Sequence, residues 1–285
     1  MLPGRASRTA LGAAFHRAAH QVLEGGSVFA DPLALRILGV DAAGAVRPGA
    51  VDPATRRLLL FIAVRARFAE DALAAAAARG VTQVVVLGAG LDTFAYRSPL
   101  GATLRVFEVD HPDTQAWKRR LLAEAGIPSP PGLVFVPMDF ERETLAGALG
   151  ASGFDPLRAA FFTWLGVVPY LSAQAVFATL GFMAGLPGGA QVVFDYANPG
   201  PEDNGLAERV AAAGEAIRSR FDSGELHARM TDLGFNDIED LGPAQIRERY
   251  FPGRGGPAPA TGGHVLRAAA PPVTSGGRPK FREQP

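Results

Sequence analysis

The 285-residue chain contains no cysteine. That absence removes disulfides, thiolate nucleophiles and cysteine-ligated zinc or iron–sulfur sites together. It also fits a reducing compartment, and no metal site is expected. Net charge is missing too, with 28 Lys plus Arg set against 28 Asp plus Glu. Without a basic excess there is no electrostatic footprint for nucleic acid or an anionic membrane. Long apolar runs are also lacking. Arg8, His16, Arg17 and His20 interrupt the N-terminal stretch, so neither a signal peptide nor a transmembrane helix is expected. The expected location is the cytoplasm. The 48% hydrophobic content is ordinary for an α/β protein. A chain of this length often holds one core that buries roughly three quarters of the unfolded surface.

The region before Gly80 reads as helical. Thr9 to Leu23 is Ala-rich, and Asp31-Pro32 and Asp52-Pro53 each offer an N-cap followed by proline at the first helical position. From Ala54 to Arg79, Leu59, Ile62, Ala63, Ala66, Ala69 and Leu73 recur at helical spacing. After Gly80 short apolar runs take over: Val81–Leu87, Leu104–Val109, Leu133–Val136, Ala159–Trp164 and Gln191–Asp195. Helix-length stretches separate them at Pro112–Ala125, Glu141–Leu149 and Ser172–Leu186. Alternation of this kind predicts parallel strands with helices on both faces of the sheet. A helix over Glu208–Leu233 and two further strands, Phe235–Leu241 and His264–Ala268, complete the pattern. The expected organisation is an N-terminal helical lid over 1–80, a Rossmann-like domain over 81–270 and a disordered tail over 271–285. No repeat of fixed period is present.

Three strand ends carry chemistry. The first is Val86-Leu87-Gly88-Ala89-Gly90-Leu91-Asp92-Thr93. A strand running into Gly-x-Gly puts a bare backbone turn at the carboxyl edge of the sheet, where α/β ligands bind. Alone, that motif can also be only a turn. About twenty residues on, Glu108-Val109-Asp110-His111-Pro112 ends the next strand. There a carboxylate can accept both ribose hydroxyl protons of an adenine nucleoside, or Asp110 can cap the following helix. The third end, Pro137-Met138-Asp139-Phe140, pairs an acid for the exocyclic amine of adenine with a ring for its face. The competing reading there is a helix cap and a core phenylalanine. A dinucleotide fingerprint needs a third glycine where this chain has Thr93, so an NAD(P) oxidoreductase fits less well than a phosphate-free ligand.

The chain resembles the leucine carboxyl methyltransferase-like enzymes, in particular a bacterial branch that includes carboxyl O-methyltransferases of aromatic polyketide biosynthesis. The landmarks are Arg8-Thr9-Ala10, Asp31-Pro32-Leu33-Ala34, Val64-Arg65-Ala66-Arg67-Phe68-Ala69-Glu70-Asp71, the three strand ends above and Val168-Pro169-Tyr170-Leu171. The resemblance implies a class I, Rossmann-like methyltransferase fold with seven strands, mostly parallel, and S-adenosyl-L-methionine as cofactor. By the same resemblance Arg65 would meet the methionine carboxylate. Gly88, Ala89 and Gly90 would line the cofactor backbone, Asp110 would hold the ribose, and Asp139 and Phe140 would frame the adenine. Phe94 stands where the family usually has an arginine, which would place an apolar ring near the cofactor mouth.

Methyl transfer from a sulfonium is an in-line displacement in which the protein aligns the groups and excludes water. A carboxylate acceptor, pKa near ~4, is already ionised and needs no base; a phenol, near ~10, benefits from one. None of the five histidines sits in a base motif, which favours a carboxylate. Trp164 and Tyr170 follow the fourth strand and could stack an aromatic acid or belong to the core. The expected acceptor is a small molecule, with a protein C-terminal carboxylate as the alternative.

Overall fold

The computed structural model describes residues 7–45, 52–199, 217–253 and 262–273. The β-branched run after Gly80 becomes the central strand, β1 (Gln83–Leu87), buried at every position. Around it lie β2 (Arg105–Asp110), β3 (Leu133–Pro137), β4 (Ala160–Trp164), β5 (Ala190–Ala197), β6 (Asn236–Leu241) and β7 (Gly263–Ala270). They form one sheet in the order β3-β2-β1-β4-β5-β7-β6. The first five strands pair in parallel, whereas β7 runs antiparallel to both β5 and β6. Strand order therefore reverses beside β1, between β2 and β4, and opens a crevice at the carboxyl edge there.

The helices are α1 (Arg8–Leu23), α2 (Ala42–Ala45), α3 (Pro53–Ala78), α4 (Phe94–Arg97), α5 (Pro112–Glu124), α6 (Leu145–Gly150), α7 (Ala173–Ala184), α8 (Ser223–Leu233) and α9 (Pro243–Tyr250). Strand alternation sends Val85, Leu87, Phe107, Phe162, Val192 and Phe194 into a core with α7 and α8. Val84, Val86, Val106, Phe161 and Val193 point to the other face, against Val64, Phe68 and Leu73 of α3. Thus α3 is a layer of the sheet packing itself, and no break in the packing falls at residue 80. Asp52 caps α3 as expected, accepting from the Ala54 and Thr55 N–H groups, with Pro53 in the first turn.

Several local expectations fail for tertiary reasons. Asp31-Pro32 starts no α-helix; a turn and a 3-10 segment at Arg36–Leu38 follow. The Asp31 carboxylate accepts from Arg17 and Thr93 as well as Leu33 N–H, so it is committed to distant partners. The helix expected from Glu141 begins only at Leu145, capped by Thr144. Before it, Asp139 accepts from Glu141 N–H, and Glu143 reaches back to Asp139 N–H. Helix α9 was not expected, because Gly242-Pro243 reads locally as a breaker although Pro243 suits a first turn. Residues 208–216 of the helix expected over 208–233, and 274–285 of the expected tail, lie outside the described residues. Among the described residues no helix is long and apolar enough to cross a membrane.

Candidate functional site

A cleft of about 320 Å³ opens where β1, β2, β3 and β4 end. Its floor is the glycine turn. Gly88 has φ +62°, and a Cβ there would lie 2.3 Å from Val167 Cγ2. Gly90 has φ +43°, and its Cβ would meet Ala10 Cβ of α1 at 2.9 Å. Both positions thus need glycine for conformation and for close approach. The Gly88 and Ala89 N–H groups donate to Val109 O at 2.8 and 3.2 Å, tying the turn to the end of β2.

Strand alternation separates the two acids of β2 from Val109 but not from each other's face; their partners decide their roles. Glu108 is buried and pairs with Lys118 of α5 at 2.7 Å, both side chains 1% exposed. Burial pushes the Glu108 carboxyl up to about 7 against the opposing pull of Lys118. Only Asp110 lines the cleft. It accepts from Gly90 N–H at 2.5 Å and from His111 N–H at 2.7 Å. Burial raises its pKa, opposed by those two N–H groups. The alternative role as cap of α5 falls to His111, whose Nδ1 accepts from Asp113 N–H at 3.2 Å. Asp139 and Phe140 also line the cleft, Phe140 packing partly on the core.

Arg65 enters from α3 and donates to Asp195 of β5 at 2.8 Å. Gly166 N–H donates to the same carboxylate at 2.5 Å. Gly166 has φ +73°, and a Cβ there would meet the Arg65 guanidinium at 2.7 Å. Gly166 therefore clears the space in which that planar cation sits beside the cleft. Arg65, Gly88, Ala89, Gly90, Asp110, Asp139, Phe140 and Tyr170 all line the one cleft.

Trp164 does not. It is 0% exposed in the core, tilted against Phe194 with ring centroids 6.3 Å apart. The expectation that it faces substrate is corrected: its side chain lies on the sheet face beneath α7 and α8. Phe94 is corrected likewise. It is 5% exposed and packs in the core with Val84 and Phe68 rather than at the cofactor mouth. Sequence reasoning missed Arg17, which lines the cleft from α1, and the Arg218–Glu141 ion pair at its rim, 2.7 Å. The only signal for Arg17 was a charged residue in an otherwise Ala-rich helix. Among the described residues no group of three or more His, Cys, Asp or Glu could hold a metal ion.

Strand order, the glycine turn and the acid at the end of β2 define a class I, Rossmann-like methyltransferase fold with its ligand crevice at the carboxyl edge. The sequence profile of the leucine carboxyl methyltransferase family matches residues 10–184, more than half of the chain, and the chain belongs to that family. It is 36% identical over 200 residues to YktD of Bacillus subtilis (strain 168), provisionally named an S-adenosyl-L-methionine-dependent methyltransferase; the match covers 67% of this chain and 66% of YktD. A Frankia alni protein with the same provisional name is 37% identical over 174 residues, 59% of this chain and 60% of that one. A third, from Mycolicibacterium paratuberculosis, is 32% identical over 75% of this chain and 76% of its own. The match thus spans less than two thirds of each of the first two relatives, 66% and 60%.

Proposed function

We propose that the protein is an S-adenosyl-L-methionine-dependent O-methyltransferase acting on the carboxylate, or a phenol, of a small aromatic or polyketide-like acceptor. The observation that carries this reading is the cleft itself, with two glycines that admit no Cβ set beside one ionisable acid at the end of β2. Those features fit the cofactor: the bare turn admits a bulky nucleoside, and Asp110 offers a carboxylate for ribose hydroxyls. Asp139 and Phe140 would frame the adenine, and Arg65, which lines the cleft while paired with Asp195, would meet the methionine carboxylate. The relatives' names support the same cofactor. When bound, it supplies an activated methyl group on a sulfonium. The chain's own residues would align the acceptor oxygen and keep water out.

A carboxylate acceptor is favoured because His111, the one histidine lining the cleft, already serves as a helix cap through Nδ1. Tyr170 at the cleft wall is the aromatic surface available to an aromatic acid. The test is a panel of carboxylic acids, phenols and peptides with free C-terminal carboxylates, incubated with methyl-labelled cofactor. Base-labile label on small acids is the expected product. Label on peptides alone would move the acceptor to a protein C-terminus, and methylation only at nitrogen or on nucleic acid would refute O-methyl transfer.

A further inference from the structure

Beneath the glycine turn lies a buried ion network that the proposed chemistry does not use. Asp31, 1% exposed, accepts from Arg17 Nε at 3.2 Å, Thr93 Oγ1 at 2.7 Å and Leu33 N–H at 3.0 Å. Arg97 Nε lies 3.5 Å from the same carboxylate and donates to Thr93 Oγ1 at 3.0 Å. The Arg97 guanidinium continues to Glu70 of α3 at 3.0 Å. Arg17 also donates to Leu91 O, inside the turn, at 2.5 Å. Two cations thus balance two carboxylates, and three chain segments meet there. Arg17 and Asp31 belong to the N-terminal segment; Leu91, Thr93 and Arg97 belong to the loop and to α4.

We infer that Arg17 and Asp31 are positioning residues that hold the Gly88–Thr93 turn in its ligand-accepting shape, making α1 a fixed wall of the cleft rather than a hinged lid. Lifting α1 would break the Arg17 bonds to Leu91 O and to Asp31. It would take the Arg17 donor from a buried carbonyl and a cation from a buried carboxylate, losses that folded proteins rarely tolerate. A second contact points the same way. Ala10 of α1 lies so close to Gly90 that no Cβ fits between them, so the helix presses directly on the turn.

The inference rests on the cleft being a nucleoside site, and Thr93 allows the two to be tested apart. Thr93 is 1% exposed and does not line the cleft. Any effect of Thr93→Val on ligand binding must therefore travel through the turn. Titration of S-adenosylhomocysteine into the wild type, Thr93→Val and Asp31→Asn should show affinity at least roughly fivefold weaker in both variants, within the usual range for coupled sites. Met230→Ala, a fully buried change on the core face of α8, lowers stability elsewhere and should leave affinity within about twofold of wild type. In unliganded protein, hydrogen exchange of the peptide covering 88–92 should quicken in Thr93→Val and not in Met230→Ala. Unchanged exchange in Thr93→Val would overturn the inference even if the wild type proved not to bind the nucleoside. Wild-type affinity retained in a folded Thr93→Val would also overturn it. If Asp31→Asn does not fold, Thr93→Val decides alone.

Discussion

Two aspartates, the buried Asp31 and the half-buried Asp240, solve the same electrostatic problem in different places. Asp31 sits under the glycine turn among two arginines, a hydroxyl and a backbone N–H. Asp240, on β6 with its side chain 8% exposed, accepts from Tyr196 of β5 at 2.5 Å and faces His227 of α8 at 2.8 Å and His264 of β7 at 3.0 Å. Both carboxylates are desolvated and richly supplied with donors, as buried charge requires. Their neighbours differ. Asp31 joins the N-terminal segment to the turn that floors the cleft, whereas none of Asp240's partners lines the cleft. Asp240 instead fastens the antiparallel flank of the sheet. One network uses guanidinium cations, the other two imidazole rings and a phenol.

The widest separation between the two should come from deletion. Asp31→Ala leaves two buried arginines facing no carboxylate there and should cost roughly 3–5 kcal/mol in urea unfolding, with weaker S-adenosylhomocysteine binding. Asp240→Ala takes a charged acceptor from the Tyr196 hydroxyl, which keeps Ser223 and His264 as partners, and should cost about 2 kcal/mol, with nucleoside affinity unchanged within about twofold. Equal loss of affinity in both would erase the distinction.

Acid should act next on the Asp240 network. Burial pushes the Asp240 carboxyl upward, but hydrogen bonds from His264, Tyr196 and His227 outweigh it and hold the group below its ordinary value. Ionised Asp240 thus adds stability above the unfolded carboxylate pKa, near ~3.9. That contribution is lost as pH falls through the lower folded value. Asp110 has the opposite sign. Burial raises it, so its contribution is present below the unfolded value and lost as pH rises through the folded one. Asp240→Asn should flatten the acid limb of a stability-against-pH curve, and a limb as steep as wild type would refute this. The smallest effect belongs to the rim. Arg218→Ala removes an exposed ion pair with Glu141 and should change stability by under about 1 kcal/mol and leave nucleoside affinity within about twofold.

What could be read from the sequence was what local chemistry decides. Gly88, Asp110 and Asp139 were found because a strand, a turn and an acid lie within a few residues of each other, and the alternation of strands and helices brings those ends to one edge. The Asp52-Pro53 cap was legible for the same reason. Asp31-Pro32 carried the same local signal, but its carboxylate serves partners as far away as Thr93, 62 residues along the chain. The ion pair of Arg65 with Asp195 spans 130 residues, and nothing in either neighbourhood announces it. Trp164 and Phe94 show the limit of reasoning from position alone. Each sits next to a ligand-side loop, yet strand parity turns the Trp164 ring away from it, and the core beneath α4 takes the Phe94 ring.

The central claim is that this cleft holds S-adenosyl-L-methionine through Asp110, and a thermal-shift titration with S-adenosylhomocysteine tests it most directly. NADH serves as the control and Asp110→Ala runs in parallel. At about 100 times the dissociation constant, binding should add about 2.7 kcal/mol, or roughly 5–10 °C, to the wild type. NADH should give no shift, and Asp110→Ala should need roughly 10- to 100-fold more ligand, as expected for losing hydrogen bonds to a charged group. A wild type that ignores millimolar S-adenosylhomocysteine, or an Asp110→Ala protein that binds it equally well, would contradict the claim.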